Sequence, residues 1–430
     1  MLAKMSFVKK IYQSFFFLMI FMALANAQYN VQYFVERANA NSPSMHAMQN
    51  ESISNKLQAQ RNDAENSATH VSLSAEYLFA PYFNNNRLYV SSNPDPDAIG
   101  YDIGITNGGL YSAQLNLEKS IFNFAAAGAL EKTIQADNNT AEHGLKVEQH
   151  AITKQVTDLF LAAQQAQQLL IVSGEILVRL NDQLKISAEL VKVGLLKQTD
   201  YLLLQIEVQN QTMQKSQLQS ELKGNLNSLF SYCGMADTIL VQLVPMSEET
   251  EQETDSAQFI KTFEYDSMKT VAEQEVFESR YAPQIKVFFN TGLNAVEWNN
   301  IGRKYGLSAG LNFSLPLYDG GQKSLTRQQH ELLLENIMFK KRYFLLQWGN
   351  QRKNLKEQIR IQKENLLLIE KQLSEFKDVL DISARNMQRG NLFMVEYLTL
   401  LKNYSDVRKN EILSRINYLQ LINNYNYWCW

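Results

Sequence analysis

The sequence predicts a mainly α protein with a small β part, built as two tandem repeats, each a two-strand membrane hairpin followed by long coiled-coil helices. Three observations predict it. The turn Val193-Gly194-Leu195 recurs as Arg389-Gly390-Asn391, and the offset of 196 residues also lays Tyr201 on Tyr397, Leu202 on Leu398, Asp200 on Glu396 and Cys233 on Cys429. A period that long is an internal duplication and not a solenoid. Next, four stretches alternate strictly between apolar and small polar residues, the period of a half-buried strand. Last, heptad seams run through both halves, the mark of helices that wind around one another.

Taken in order, residues 1–27 read as a secretory signal, with Lys9 and Lys10 before the apolar run Phe15 to Leu24 and the small-residue site Ala25-Asn26-Ala27. The mature chain then begins near Gln28, and with no cysteine there, nothing signals a lipid anchor. No later run of about 18 apolar residues exists, so any crossing of a membrane must be made by strands. The balance of 41 basic and 44 acidic residues, without a polybasic run, excludes a nucleic-acid partner. A length of 430 residues allows two or three globular domains, but the repeat argues for an elongated chain.

From Gln28 to Asn66 the pattern predicts a helix, with Ile53 and Leu57 at helical spacing. Val71, Leu73, Ala75, Tyr77 and Phe79 then share one face of a strand against Ser72, Ser74 and Glu76. Prolines, glycines and the run Asn84-Asn85-Asn86 predict a long irregular loop up to Gly109. Its partner strand sets Tyr111, Ala113, Leu115 and Leu117 against Ser112, Gln114, Asn116 and Glu118. In the second half, Ile285, Val287, Phe289, Thr291, Leu293 and Ala295 alternate with Lys286, Asn290, Gly292 and Asn294. After a loop with Trp298 and Tyr305, Leu307, Ala309, Leu311, Phe313, Leu315 and Leu317 do the same. A soluble half-buried sheet also alternates, but these strands match the 9 to 11 residues of a membrane strand. Aromatics (Tyr82, Phe83, Phe122, Trp298, Tyr318) also stand at their ends, as in an interfacial girdle.

The 70 residues between Phe124 and Gly194 lack proline and as one helix would extend about 105 Å. Val156, Leu159, Ala163, Ala166, Leu170, Ser173, Leu177, Leu180, Leu184, Ser187 and Val191 step alternately by three and four. At the offset stand Arg352, Leu355, Ile359, Gln362, Leu366, Ile369, Leu373, Phe376, Leu380, Ser383 and Met387. Such a seam winds left-handed. Gly194 and Gly390 end these helices, and Thr199 or Asp200 is expected to cap the return helix, which runs 201–232 in the first half and 396–427 in the second. The return helices are half as long, so the segments 28–66 and about 259–281 are expected to complete them. The organisation expected is therefore 28–234 as first repeat (hairpin about 71–121, tip 193–199), 235–258 as an acidic equatorial linker and 259–430 as second repeat (hairpin about 284–318, tip 389–395). Glu248, Glu249, Glu251 and Glu253 of the linker read as a solvated charge run.

Cys233 and Cys429 occupy equivalent places and could bridge, although two lone thiols in apolar company are more often buried small residues, and that reading leads. Of the five histidines only His143 and His150 could share a helix face, and neither has the ligand spacing of a metal site. No phosphate-cradling loop or nucleophile elbow is present, so the sequence predicts no enzyme, no cofactor and no metal.

The residues Val193-Gly194-Leu195 with Thr199-Asp200, Gly390 with Val395-Glu396, Ile121-Phe122-Asn123, and the run Ser314-Leu315-Pro316-Leu317-Tyr318-Asp319-Gly320-Gly321 resemble the TolC family of outer-membrane efflux and secretion channels, over essentially the whole mature chain. The resemblance implies a homotrimer in outer-membrane lipid, a twelve-stranded barrel and a periplasmic tunnel of helices. It implies a passive exit duct of a tripartite system in a Gram-negative-type cell, engaged by a periplasmic adaptor and an inner-membrane transporter. On this pattern the adaptor-docking tip is Val193, Gly194, Leu195, Thr199, Arg389, Gly390 and Asn391, and Asp200 and Glu396 form the tunnel-mouth ring. Thr399 stands where a second ring carboxylate is usual, and Leu392 and Met387 replace the arginine and tyrosine of the usual latch, so the closed end is expected to rest on coiled-coil packing. The competing readings are a surface-anchored structural or adhesion stalk, which passes no ions, and a coiled-coil adaptor, which usually needs one hairpin and not two.

Overall fold

The computed structural model describes residues 29–84, 90–91, 95–101, 109–122, 124–236, 240–246, 258–389 and 391–430. The signal segment, Gly390 and the four linker glutamates lie outside the described residues. In chain order the elements are helices α1 (Val31–Asn41) and α2 (Pro43–Ser67), strands β1 (His70–Phe79), β2 (Tyr82–Phe83), β3 (Val90–Ser91) and β4 (Gly109–Phe122), and helices α3 (Phe124–Lys192), α4 (Gln198–Tyr232) and α5 (Ile260–Ser279). Then follow β5 (Gln284–Ala295), a 3₁₀ turn (Trp298–Arg303), β6 (Tyr305–Ser314), and helices α6 (Gln322–Gln388) and α7 (Met394–Trp428). The fold is mainly α with a small β part, as the sequence predicts.

Several local outcomes differ from expectation, each for a physical reason. The 28–66 segment is two helices, because Pro43 forces Ser42 into an extended conformation and then opens the next helix without needing an N–H partner. Asn30 caps the first, its side-chain oxygen accepting from the Tyr33 N–H at 2.9 Å. In α2 it is Met45, Ser52 and Asn62 that are buried, while Ile53 and Leu57 are 55% and 58% exposed. The loop after β1 contains the short ribbon β2–β3, tied further by a bridge from Phe83 to Ile99. The return helices begin earlier than expected, with Lys197 and Phe393 at the cap positions, so Thr199 and Asp200 lie inside the first turn and cap nothing.

By internal packing the chain divides into two compact units, residues 1–48, 144–260 and 342–430 in one, and 49–143 and 261–341 in the other. Each draws on both halves of the sequence. The first unit holds four apolar clusters among the described residues, two of them large. One gathers Phe34, Val35 and Ala38 of α1, Ile152, Val156 and Phe160 of α3, and Leu226, Leu229 and Phe230 of α4, with Leu243 from the linker. The other joins Leu161, Val172, Ile176 and Leu180 of α3 to Leu204 of α4, Leu380 and Met387 of α6, and Met394, Tyr397 and Leu401 of α7. The expected seams are the contact lines of this unit. From Arg352 to Ser383 in α6, every seam residue is shielded from solvent and every other residue is exposed.

The second unit holds an antiparallel sheet in the order β1-β4-β5-β6. Among the described residues no helix is long and apolar enough to cross a membrane.

Candidate permeation path and helix tips

Residues directly opposite in antiparallel strands point to the same side of the sheet, so the register sorts the sheet into two faces. Val71, Leu117, Phe289 and Ala309 stand in one row, and Leu73, Leu115, Thr291 and Leu307 in the next. Ala75, Ala113, Leu293 and Tyr305 make a third. The opposite face carries Ser72, Asn116, Asn290 and Ser308, then Ser74, Gln114, Gly292 and Gly306. One face is oily across all four strands and the other is wet, with Asn116 Nδ2 donating to Ser74 Oγ at 2.8 Å. Gly292 has φ 151°, and a Cβ there would come within 2.2 Å of the Ala113 carbonyl oxygen, so this position admits only glycine. At the loop-side end of the oily face, the rings of Tyr77, Tyr111 and Trp298 lie in series, tilted against one another at 5.0 and 5.4 Å. The oily face is solvent-accessible, with Leu73, Leu307, Leu311 and Phe313 exposed, and β1 and β6 are edges without a further strand among the described residues. In lipid such edges must pair, since nothing there replaces water on the backbone.

Where the sheet meets its helices, Asp319 closes the junction. Its carboxylate accepts from the N–H groups of Gly321 and Lys323 at 2.8 and 2.7 Å and from the Tyr281 hydroxyl at 2.7 Å. Gly320 and Gly321, at φ 68° and 87°, make the turn that brings those amides round. The Tyr281 hydroxyl, then the Lys323 amide, hold the Asp319 carboxyl below the usual carboxylate range. Arg327 grips Glu278 through two nitrogens one turn further on.

The two long helices share one terminal bond. Leu195 N–H reaches back to the Leu190 carbonyl at 2.9 Å, and 196 residues on Asn391 N–H reaches the Asn386 carbonyl at the same distance, the six-to-one bond of a glycine-terminated helix. Gly194 takes the left-handed conformation at φ 71° with open space around it. Val193, Thr199, Arg389 and Asn391 are exposed, and Leu195 and Phe393, at 75% and 76%, are among the most exposed apolar side chains described. The expected tip residues thus lie together at their respective turns, apart from Gly390, which is outside the described residues. Asp200 and Glu396 fall at the third position of their helices. Glu396 reaches back to accept from the Phe393 N–H at 3.3 Å, whereas Asp200 is half-buried without a side-chain hydrogen bond among the described residues. Thr399 donates to the Val395 carbonyl of its own helix.

Behind the tips, α3 and α6 are joined by Arg179 and Asp381 at 3.1 Å, and Gln183 Nε2 points to the Met387 sulfur at 3.8 Å. Tyr397 is buried in the same cluster, and burial pushes its hydroxyl pKa up. Sequence reasoning missed the Arg179–Asp381 tie, since the two residues are not at equivalent positions of the repeat. Further along, Gln167 grips the linker twice, its amide donating to the Leu243 carbonyl at 3.0 Å and accepting from the Leu243 N–H at 2.8 Å.

The two histidines that could have shared a helix face have separate partners. His143 meets Thr262 at 3.1 Å, and His150 stacks with the rings of Tyr427 and Trp430. Among the described residues no group of three metal-ligating side chains occurs. Both cysteines are free and buried, so the bridge is not made.

Comparison of the sequence with family models and with curated proteins yields no match. Comparison of the fold yields outer-membrane channels. The outer membrane protein VceC of Vibrio cholerae is 12% identical with a TM-score of 0.71, over 93% of this chain and 95% of that one. The CmeC outer membrane channel of Campylobacter jejuni is 13% identical at 0.68, over 93% and 85%. The MtrE outer membrane channel of Neisseria gonorrhoeae, in its open state, is 10% identical at 0.68, over 93% and 89%. The resemblance to TolC-family channels read from the sequence is met at the level of the fold.

Proposed function

We propose, from a fold shared with outer-membrane channels, that this chain is one third of a passive exit duct in the outer membrane. The observation that carries it is the four-stranded sheet with one oily face, one wet face and two open edges. Four strands cannot close a barrel, and pairing β1 of one copy with β6 of the next around a threefold axis gives twelve strands and leaves no edge in lipid. The wet face then lines water, and the helices continue the duct as a periplasmic tunnel, with the linker 235–258 between the two repeats at its equator. The exposed turn at Gly194, and the exposed Arg389 and Asn391 on either side of Gly390, are the docking points of a periplasmic adaptor, which connects the duct to an inner-membrane transporter. Asp200 and Glu396, repeated three times at the mouth, favour cations as carboxylate rings do. The capping bond of Glu396 is made through one carboxylate oxygen, Oε2.

The test is conductance in a planar bilayer together with native mass in detergent. A trimer that conducts supports the reading, and its cation preference should fall in the Asp200→Asn, Glu396→Gln double variant. A stable monomer, or a protein that inserts and passes no ions, favours the adhesion stalk instead.

A further inference from the structure

The wet face of the sheet is mostly small or polar, with the pair Leu78 and Leu110 at its loop-side end, and one aromatic ring breaks the alternation. Phe288 lies between Lys286 and Asn290 at a wet position, and among the described strand residues it is the only Phe, Tyr or Trp on that face. The fold makes room for it. Directly across on β6 stands Gly310, where a Cβ would come within 2.6 and 2.8 Å of the far end of the Phe288 ring. The ring therefore lies low over a glycine notch and stays half-exposed to the wet side. Directly across on β4 stands Glu118, exposed and with no hydrogen-bond or ion-pair partner among the described residues. His70 completes the row, with its ring nitrogen at 2.9 Å from the Glu65 carbonyl. Lys286, exposed and without an ion-pair partner among the described residues, stands two residues before Phe288 on the same face, diagonal to Glu118.

We propose that Phe288 and Glu118 form a contact station for amphiphilic organic cations passing through the duct. Residues directly opposite in a sheet are about 5 Å apart at Cβ and diagonal ones about 7 Å. An aromatic surface with a carboxylate at the first of these spacings fits a flat apolar body carrying an ammonium group, since the ring attracts the cation and the carboxylate neutralises it. Lys286, at the diagonal, repels the ammonium from the other side and so fixes its orientation. The row stands where β1 begins and β4 and β6 approach their ends, which is the helix side of the sheet. A solute arriving from the helices meets it on entering the strands. The station deepens the proposed channel function and rests on the wet face lining the duct.

The experiment is single-channel recording of the intact trimer with ethidium added on the helix side. Tetramethylammonium, a cation without a flat apolar body, and benzenesulfonate, an aromatic anion, serve as controls. Ethidium should interrupt the current and the controls should not. Phe288→Leu and Glu118→Gln should each weaken the block roughly fivefold while leaving the open conductance of the Phe288→Leu trimer unchanged. Gly310→Ala, which keeps the ring but lifts it from its notch, should also change the block, and Lys286→Gln should strengthen it. Conducting Phe288→Leu and Gly310→Ala trimers blocked like the parent, or block by benzenesulfonate equal to that by ethidium, would overturn the station and leave the channel standing. A trimer that passes no ions overturns both.

Discussion

Helices α3 and α6 carry the same seam at the same register, yet they differ in what else they bury. Beyond the seam, α3 also hides Phe160, Leu161, Gln164 and Gln167. At the offset of 196 these positions become Lys356, Glu357, Arg360 and Lys363, all exposed, with Arg360 held between Glu357 and Glu364 at 2.7 Å each. The duplication has therefore kept the line along which helices touch and rewritten the neighbouring face. In α3 that second face is packed into the two large apolar clusters and onto the linker. In α6 it is left to solvent, and scattered apolar residues of that helix such as Ile361, Leu368 and Ile382 are exposed as well. A seam is what two helices need in order to pair, whereas a second buried face is needed only where a third element arrives.

The largest effect expected from this contrast follows a charge placed in the second buried face. Leu161→Asp in α3, where the side chain is fully buried, should cost about 4 kcal/mol or more in denaturant unfolding, because a carboxylate there has no partner and no water, while Ile361→Asp on α6 should stay within about 0.5 kcal/mol. Equal losses at the two sites would break the comparison. Next comes truncation at paired positions. Phe160→Ala should lose about 3 to 4 kcal/mol through its cavity, against less than about 0.5 for Lys356→Ala, its counterpart at the offset. A smaller effect belongs to the tie between the helices themselves. A double-mutant cycle on Arg179 and Asp381 should give a coupling of about 0.5 kcal/mol that fades in high salt, as for other half-exposed pairs. A coupling of several kcal/mol would make the tie, and not the apolar cluster, what holds α3 to α6.

The smallest is chemical and compares the two halves through their cysteines. Burial pushes the Cys233 thiol up to about 11, and its sulfur donates to the Phe34 carbonyl at 3.4 Å. The neutral thiol is the favoured form, so the stability it contributes is present below the ordinary thiol range and lost only as pH rises through about 11. Alkylation by iodoacetamide at pH 8 should accordingly be slow in the folded protein and fast in urea. Equal rates would show the site to be open.

The seams and strand faces were legible because periodicity is a direct consequence of burial on one side, and Leu355, Leu366 and Leu380 show it in α6. What escaped was decided by partners distant in sequence. Ile53 and Leu57 have helical spacing, but in α2 the buried positions are Met45, Ser52 and Asn62, so the spacing alone named the wrong face. The helix caps fell to Lys197 and Phe393 because backbone conformation, and not side-chain chemistry, chose them. The tip turns were legible from their duplicated glycines. Phe288 was visible only as a break in an otherwise wet row, and its meaning needed the notch at Gly310.

The bond between Tyr281 and Asp319 reaches beyond the junction it closes. The first residue precedes β5 and the second follows β6, so the bond ties the two feet of a hairpin and turns 38 residues of chain into a closed circuit. Closing a loop of that size costs chain entropy that grows only slowly with length, and once closed, the two strands can no longer slide past one another without breaking it. Register, the property that keeps every oily residue on one side, is thus guarded at the base of the hairpin as well as along its ladder. Because Asp319 titrates below the ordinary range, this guard is in place above the unfolded carboxyl's titration and is released only as acid carries the solution through the lower, folded value.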